Sequence, residues 1–173
     1  MTMDVYFDYA CPYCVKGLAY LQELIKEHSK HINLNFIPVE AHPRPEVHGL
    51  HTDLCAQGYY AAMDQGMDPW DYHAAIFKAA VNDRVNIEDA DALGTALRAS
   101  AAAEKLDADA YADTLKKAVY ANRVDENNRQ AYDENGVWAV PTFIMEDGRR
   151  LDAREGIGVR FKELEALMKE TRA

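Results

Sequence analysis

Two cysteines three residues apart, in Cys11-Pro12-Tyr13-Cys14, stand between an apolar run, Val5-Tyr6-Phe7, and a segment with helical periodicity. Thiols at a strand-to-helix junction constrain the chain around them, because the first turn of a helix leaves backbone N–H groups unpaired. Their partial positive charge favours a thiolate over a thiol at Cys11. Pro12 suits the first helical position, since it has no N–H to leave unbonded and its φ is already close to helical. Cys14 then lies one turn further in, within reach of a disulfide with Cys11.

Cysteines also hold metals and staple secreted folds. A zinc site needs further ligands, and beyond the pair the chain offers Cys55 and His28, His31, His42, His48, His51 and His73, with no second Cys-x-x-Cys. His48, His51 and Cys55 are spaced to share one helical face with metal-holding geometry. Pro43 and Pro45 disturb the start of that helix, and a fourth ligand is missing. The competing reading is a polar face or groove wall, and no metal is expected. Cys55 reads either as a third redox thiol or as a small buried hydrophobe. A structural disulfide needs an oxidising compartment, and the chain opens without a basic segment followed by an apolar stretch. Redox chemistry in a cytoplasmic protein is therefore the expectation.

The 173 residues, 49% of them hydrophobic, suit one domain or one domain with a large insertion. Nineteen basic against twenty-nine acidic residues give a formal charge of −10, which repels phosphate backbones and anionic lipid. Neither nucleic acid nor a membrane surface is an expected partner. No apolar stretch approaches the ~18 residues that span a bilayer.

Asp4 to Tyr9 reads as a strand, and Cys14, Leu18, Leu21 and Ile25 follow at helical spacing. Asn33 to Val39 is a second strand with Leu34, Phe36 and Pro38 on one face, parallel to the first through a right-handed crossover. Pro38 places it at an edge or a strand end. From 41 to 136 the pattern is helical. Trp70, Phe77 and Val81 share a face, and Asn86, followed by Glu88 and Asp89, starts a helix carrying Ile87, Ala90, Leu93, Leu97 and Ala101. Another helix from Asp107 carries Tyr111, Leu115, Ala118 and Asn122 and runs on to Asn135-Gly136. Thr142 to Met145 is a strand, Asp147-Gly148 a hairpin turn, and Arg150-Leu151-Asp152 pairs back antiparallel. A last helix presents Phe161, Leu164, Leu167 and Met168. The order is β-α-β, helices, β-β-α: an α/β domain from residues 1–40 and 137–173, and an inserted helical domain over 41–136.

Two motifs in this order carry a resemblance: Phe7-Asp8-Tyr9-Ala10-Cys11-Pro12-Tyr13-Cys14, and Gly136-Val137-Trp138-Ala139-Val140-Pro141-Thr142-Phe143. The chain resembles the thioredoxin-fold superfamily in its DsbA-like branch over nearly its whole length. That implies a thioredoxin fold, βαβ then ββα, with an all-helical insertion between the halves. The second motif is similar to the family's cis-proline loop, which implies a cis Val140-Pro141 bond packed against the cysteines. The proline alone leaves a trans residue starting a strand as the alternative, since few X-Pro bonds are cis. On the family reading, the Val140 backbone pairs with an extended peptide or with glutathione.

The branch contains cytoplasmic dithiol oxidoreductases, 2-hydroxychromene-2-carboxylate isomerases and kappa-class glutathione transferases. In the glutathione-using relatives a serine typically stands where Cys11 does here, so this chain departs from them toward disulfide chemistry. The Pro-Tyr pair is similar to that of glutaredoxins. The resemblance implies a thiol–disulfide oxidoreductase acting on protein or small-molecule disulfides and thiols. In it Cys11 and Cys14 are catalytic, Val140, Pro141 and Tyr13 meet the substrate, and Pro12 and Asp8 support them. No cofactor is bound, and glutathione is the candidate co-substrate. Asp8 either relays a proton to or from Cys14 or caps the local backbone. Tyr13 tunes the pair or is simply an exposed aromatic. A glutathione-dependent isomerase or transferase, and a redox-regulated chaperone or binding module, are the alternatives.

Overall fold

A computed structural model gives the structure of the chain and describes residues 1–28, 31–101 and 103–169. Strand β1 (Thr2–Phe7) leads into helix α1 (Pro12–His28) and then strand β2 (Asn33–Pro38). β1 and β2 pair in parallel from Thr2 opposite Asn33 to Phe7 opposite Pro38, which makes α1 the crossover. Strand β3 (Thr142–Met145) is antiparallel to β1, and strand β4 (Arg150–Asp152) is antiparallel to β3. The order across the sheet is β2-β1-β3-β4. Pro38 therefore sits on an edge strand, where a missing N–H costs least.

β1 ends two residues earlier than its apolar run suggests. The Asp8 carboxylate accepts from the Ala10 N–H at 2.9 Å, a turn-forming bond that takes the chain out of the sheet before Tyr9. The central strand is buried on both faces. Met3, Val5 and Phe7 pack with Leu18, Leu21 and Leu24 of α1, while Tyr6 on the opposite face packs with Ile37, Val39, Ala131 and Val137. Ile37, on the opposite face of β2 from Leu34, Phe36 and Pro38, thus serves a second small core.

Between β2 and β3 come helices α2 (Asp53–Asp64), α3 (Pro69–Phe77), α4 (Ala90–Arg98), α5 (Ala108–Lys116) and α6 (Ala121–Arg129), and helix α7 (Phe161–Lys169) closes the chain. A π turn extends α3 over Lys78–Asn82, and another extends α6 over Gln130–Glu134. Among the described residues, no strand interrupts this stretch and no helix is long and apolar enough to cross a membrane. Leu164, Leu167 and Met168 of α7 are buried, as their spacing predicts.

Four helix boundaries differ from the periodicity. The N-cap of α4 is Asp89, whose side chain accepts from the Asp91 and Ala92 amides, and Asn86 caps only the Glu88 amide in the preceding turn. That helix ends at Arg98, which leaves Ala101 off its face. Asp107 does cap α5, but Ala118 takes a left-handed φ of 52° and stops the run, so Ala118 and Asn122 do not continue its face. The chain from 41 to 52 is irregular, and α2 begins only at Asp53. Gly49, between His48 and His51, takes a left-handed φ of 93°, so the helix expected to carry them does not form.

The larger core runs without a break from the sheet into these helices, through Tyr59 of α2, Tyr72 of α3 and Tyr111 of α5. They meet at Gly58, where a Cβ would lie 2.2 Å from the Tyr111 Oη and 2.4 Å from the Tyr72 Oη. Tyr72 donates to the Cys55 carbonyl at 2.8 Å, so the 2.9 Å contact between the hydroxyls is a donation from Tyr111.

Candidate active site

Cys11 occupies the residue before α1, and Pro12 is the first helical residue. The Cys11 N–H donates to the Asp8 carbonyl at 3.2 Å, and the Cys11 carbonyl accepts from Cys14 and Val15 at 3.0 and 3.2 Å. This turn aims backbone donors at the sulfur. The Cys14 thiol donates to the Cys11 sulfur most effectively, and the Cys14 and Tyr13 amides add to it. Together they outweigh partial burial and the nearby Asp8 charge, holding the Cys11 thiol down to about 7. Cys14 is fully buried, and burial, followed by the Cys11 sulfur, pushes its thiol well above the ordinary range. Its sulfur accepts from the Asp8 N–H at 3.4 Å. Both thiols are free. One helical turn therefore holds an accessible, easily ionised sulfur beside a sealed, protonated one.

The loop before β3 closes over this pair. The Val140–Pro141 peptide is cis, and the Cys11 Sγ lies 3.7 Å from the Val140 carbonyl oxygen. Pro141 rests on α1 at Gly17, where a Cβ would lie 2.8 Å from the Pro141 Cγ. The Pro141 carbonyl accepts from the Ala153 N–H at 3.0 Å, and Thr142 Oγ1 lies 2.8 Å from the Ala139 carbonyl and 3.1 Å from Asp152. The loop is thus pinned on both sides of the proline.

Tyr13 is 39% exposed and Trp138 66% exposed, and the two flank a groove of about 310 Å³ lined also by Val140, Ala153, Arg154 and Gly156. The Tyr13 ring lies on Gly158, whose φ is 73° and whose added Cβ would come within 2.9 Å of the ring. The sequence reading missed Gly17 and Gly158 as parts of the site, and quoted Trp138 only within a motif. A glycine inside a helical pattern, as at Gly17, is the signal that marks such a close approach.

Asp8 is 2% exposed. Its two carboxylate oxygens accept from Ala10 at 2.9 Å and from Ala41 at 2.7 Å, tying the end of β1 to the chain after β2. Burial pushes its pKa up, and those amides oppose the rise. Its backbone N–H is what contacts the Cys14 sulfur.

His48, His51 and Cys55 do not share a helical face. His51 Nδ1 lies 3.0 Å from the His42 carbonyl in the irregular segment, whereas Cys55 is fully buried in α2 with its thiol pushed well above the ordinary range by that burial. Among the described residues, no three or more His, Cys, Asp and Glu side chains are grouped to hold a metal. The side chain of His28 lies outside the described residues.

An uncharacterized protein of Bacillus subtilis (strain 168), YwbO, is 27% identical to this chain over 180 residues, covering 84% of this chain and 86% of that protein. Among solved structures, a Streptomyces coelicolor "probable DsbA oxidoreductase" superposes with a TM-score of 0.77 at 16% identity, covering 100% of this chain and 92% of that one. Chlamydia trachomatis DsbA does so with a TM-score of 0.69 at 14% identity, covering 99% and 88%. At these identities the two structures are likenesses of fold. The model of the DSBA-like thioredoxin domain matches residues 2–166, nearly the whole chain, and the protein belongs to that family.

Proposed function

We propose that the protein is a thiol–disulfide oxidoreductase in which Cys11 attacks and Cys14 resolves. The asymmetry of the two sulfurs carries this reading: Cys11 is partly open with its thiol near 7, while Cys14 is sealed and held protonated. The Cys11 thiolate attacks one sulfur of a substrate disulfide. The substrate S–S bond breaks, a mixed disulfide forms on Cys11, and the other substrate sulfur leaves as a thiolate that takes up a proton. Cys11 then no longer carries the charge that helps keep Cys14 protonated. Cys14 loses its proton and attacks the Cys11 sulfur, which releases the second substrate thiolate and closes Cys11–Cys14. Two electrons pass from the dithiol to the substrate.

The Val140 backbone beside the sulfur supports recognition by strand addition, because an extended peptide needs only backbone partners there. Regeneration of the dithiol requires two thiol equivalents, and glutathione is the co-substrate we assign to that step, two molecules leaving as glutathione disulfide. In a cytoplasmic setting the strongly reducing poise favours the reductase direction.

Reduction of insulin by the wild type, Cys11→Ser and Cys14→Ser tests this. Cys11→Ser should be inactive, and Cys14→Ser should accumulate mixed disulfides. Glutathione conjugation that survives Cys14→Ser would favour the isomerase or transferase reading, and holdase action that survives loss of both sulfurs would favour a binding module.

A further inference from the structure

The groove of about 310 Å³ beside the Val140 edge is apolar over most of its wall, and only two of its lining side chains, Arg154 and Glu155, carry a charge. Arg154 is already matched. Its Nη2 lies 2.5 Å from Glu163 Oε1, while Glu163 Oε2 accepts from the Arg160 N–H at 3.1 Å, so the partner carboxylate is held at both oxygens. Glu155 is exposed, and among the described residues no hydrogen bond or ion pair engages its carboxylate. The lining of the groove therefore carries a net negative charge.

The turn that carries Glu155 is tied at both ends. The Arg154 N–H donates to the Gly158 carbonyl at 2.9 Å, and the Gly158 N–H donates back to the Arg154 carbonyl at 2.8 Å. Gly156 and Gly158 supply the left-handed φ values of 71° and 73° that so tight a turn requires, and the Tyr13 ring covers Gly158. Trp138 and Tyr13, both exposed, add ring surface to the same groove, and an aromatic face attracts a cation held over it. The formal charge of −10 on the whole chain adds a field of the same sign.

We propose that this groove selects a substrate polypeptide whose disulfide cysteine is flanked by a basic residue, with Glu155 as the specificity-determining side chain. Such selection rests on Cys11 as the attacking sulfur. A substrate cysteine joined to Cys11, whose Sγ lies 3.7 Å from the Val140 carbonyl oxygen, lays its chain neighbours along the edge that lines the groove. A basic neighbour there meets Glu155 and the two rings, whereas an acidic neighbour meets a like charge.

The test uses the reduced full chain and the symmetric disulfides of the end-blocked peptides Ala-Arg-Cys-Arg-Ala, Ala-Gln-Cys-Gln-Ala and Ala-Glu-Cys-Glu-Ala, with release of peptide thiol followed by chromatography. Flanking charge alters the peptide sulfur itself, so the arginine-to-glutamate rate ratio is compared between protein variants rather than read alone. In Glu155→Gln that ratio should fall about fivefold at low salt, and in Glu155→Arg it should fall further. Sodium chloride at about 0.5 M should bring the wild type and Glu155→Gln to within about twofold of each other, because exposed charges are screened. A ratio that Glu155→Gln leaves unchanged, or a difference that high salt leaves intact, would overturn the proposal, while Cys11-dependent release from the glutamine peptide would still support the oxidoreductase reading. No release from any of the peptides by the wild type would overturn both.

Discussion

The junction of β1 with α1 and the helix contact around Gly58 are built alike and behave differently. Each contains a helical glycine that admits a neighbour too closely for any side chain: Pro141 at Gly17, and the Tyr72 and Tyr111 hydroxyls at Gly58. Each contains a cysteine. At the junction, the sulfur of Cys11 precedes the helix, receives backbone donors and keeps an opening to solvent. In α2, Cys55 lies inside the helix, is fully buried, and has its carbonyl taken by Tyr72. Thiol reactivity thus follows from position relative to a helix end and to water rather than from residue type.

The largest effect that separates the two regions is on turnover. Cys11→Ser should reduce disulfide reduction to background, a loss on the order of 10³-fold or more. Cys55→Ala should keep turnover of the folded protein within about twofold. A comparable loss from Cys55→Ala in an insulin assay would break the comparison.

Labelling should separate the sulfurs by a smaller factor. Iodoacetamide should modify Cys11 with a rate that rises through about pH 7 and levels off above it, because the thiolate is the reactive form and its pKa is near 7. Cys14 and Cys55 should react on the order of 100-fold more slowly in the folded protein, given their burial. Peptide mapping of the alkylated sites would check this, and equal labelling would remove the distinction.

The two glycines should then fail in different ways. Gly17→Ala should displace Pro141 and cost turnover about tenfold, since small misplacements at a reacting centre are expensive. Gly58→Ala should separate the tyrosines and lower stability by about 1–3 kcal/mol, the usual range for overpacking, with activity of the folded fraction retained. Urea denaturation beside turnover measurements distinguishes the two outcomes.

The smallest effect is a slope. Burial pushes the folded-state pKa of His73 down to about 3, below the ordinary value of roughly 6.5, so the unfolded chain takes up the proton first as the pH falls. Its contribution to stability is complete above about pH 6.5 and is lost progressively toward pH 3. His73→Phe should flatten the pH dependence of stability by about 1.4 kcal/mol per pH unit between pH 6 and 4. An unchanged slope in denaturation curves would mean that His73 protonates in the folded state as readily as in the unfolded one.

Much of the sheet was legible because its signals are local. The apolar run of β1, the alternation along β2, the edge proline Pro38, the Asp147-Gly148 turn and the paired β4 each express themselves within a few residues. Asp107 was legible as a helix start for the same reason, and Asp89 was misread in favour of Asn86 because both offer a side-chain acceptor and only the built helix shows which amides are left open. The break at Ala118 has no sequence signal, since alanine is a good helix former and rarely takes a positive φ. Likewise, the helical face drawn through His48, His51 and Cys55 rested on spacing alone, and the left-handed φ of Gly49 breaks that run.

By itself, then, the sequence determined the βαβ and ββα order, the helix start at Pro12 and the sulfur pair one turn apart, because helix ends and strand pleats act through neighbouring residues. Only the tertiary structure decided that Cys14 is sealed while Cys11 is not, that Pro141 rests on Gly17, and that the Asp8 carboxylate ties down Ala41. Those are contacts across 33 to 129 positions of chain, as the Asp8–Ala41 and Cys11–Val140 pairs illustrate. Desolvation and close packing depend on what arrives from such distances, and no local pattern carries that information.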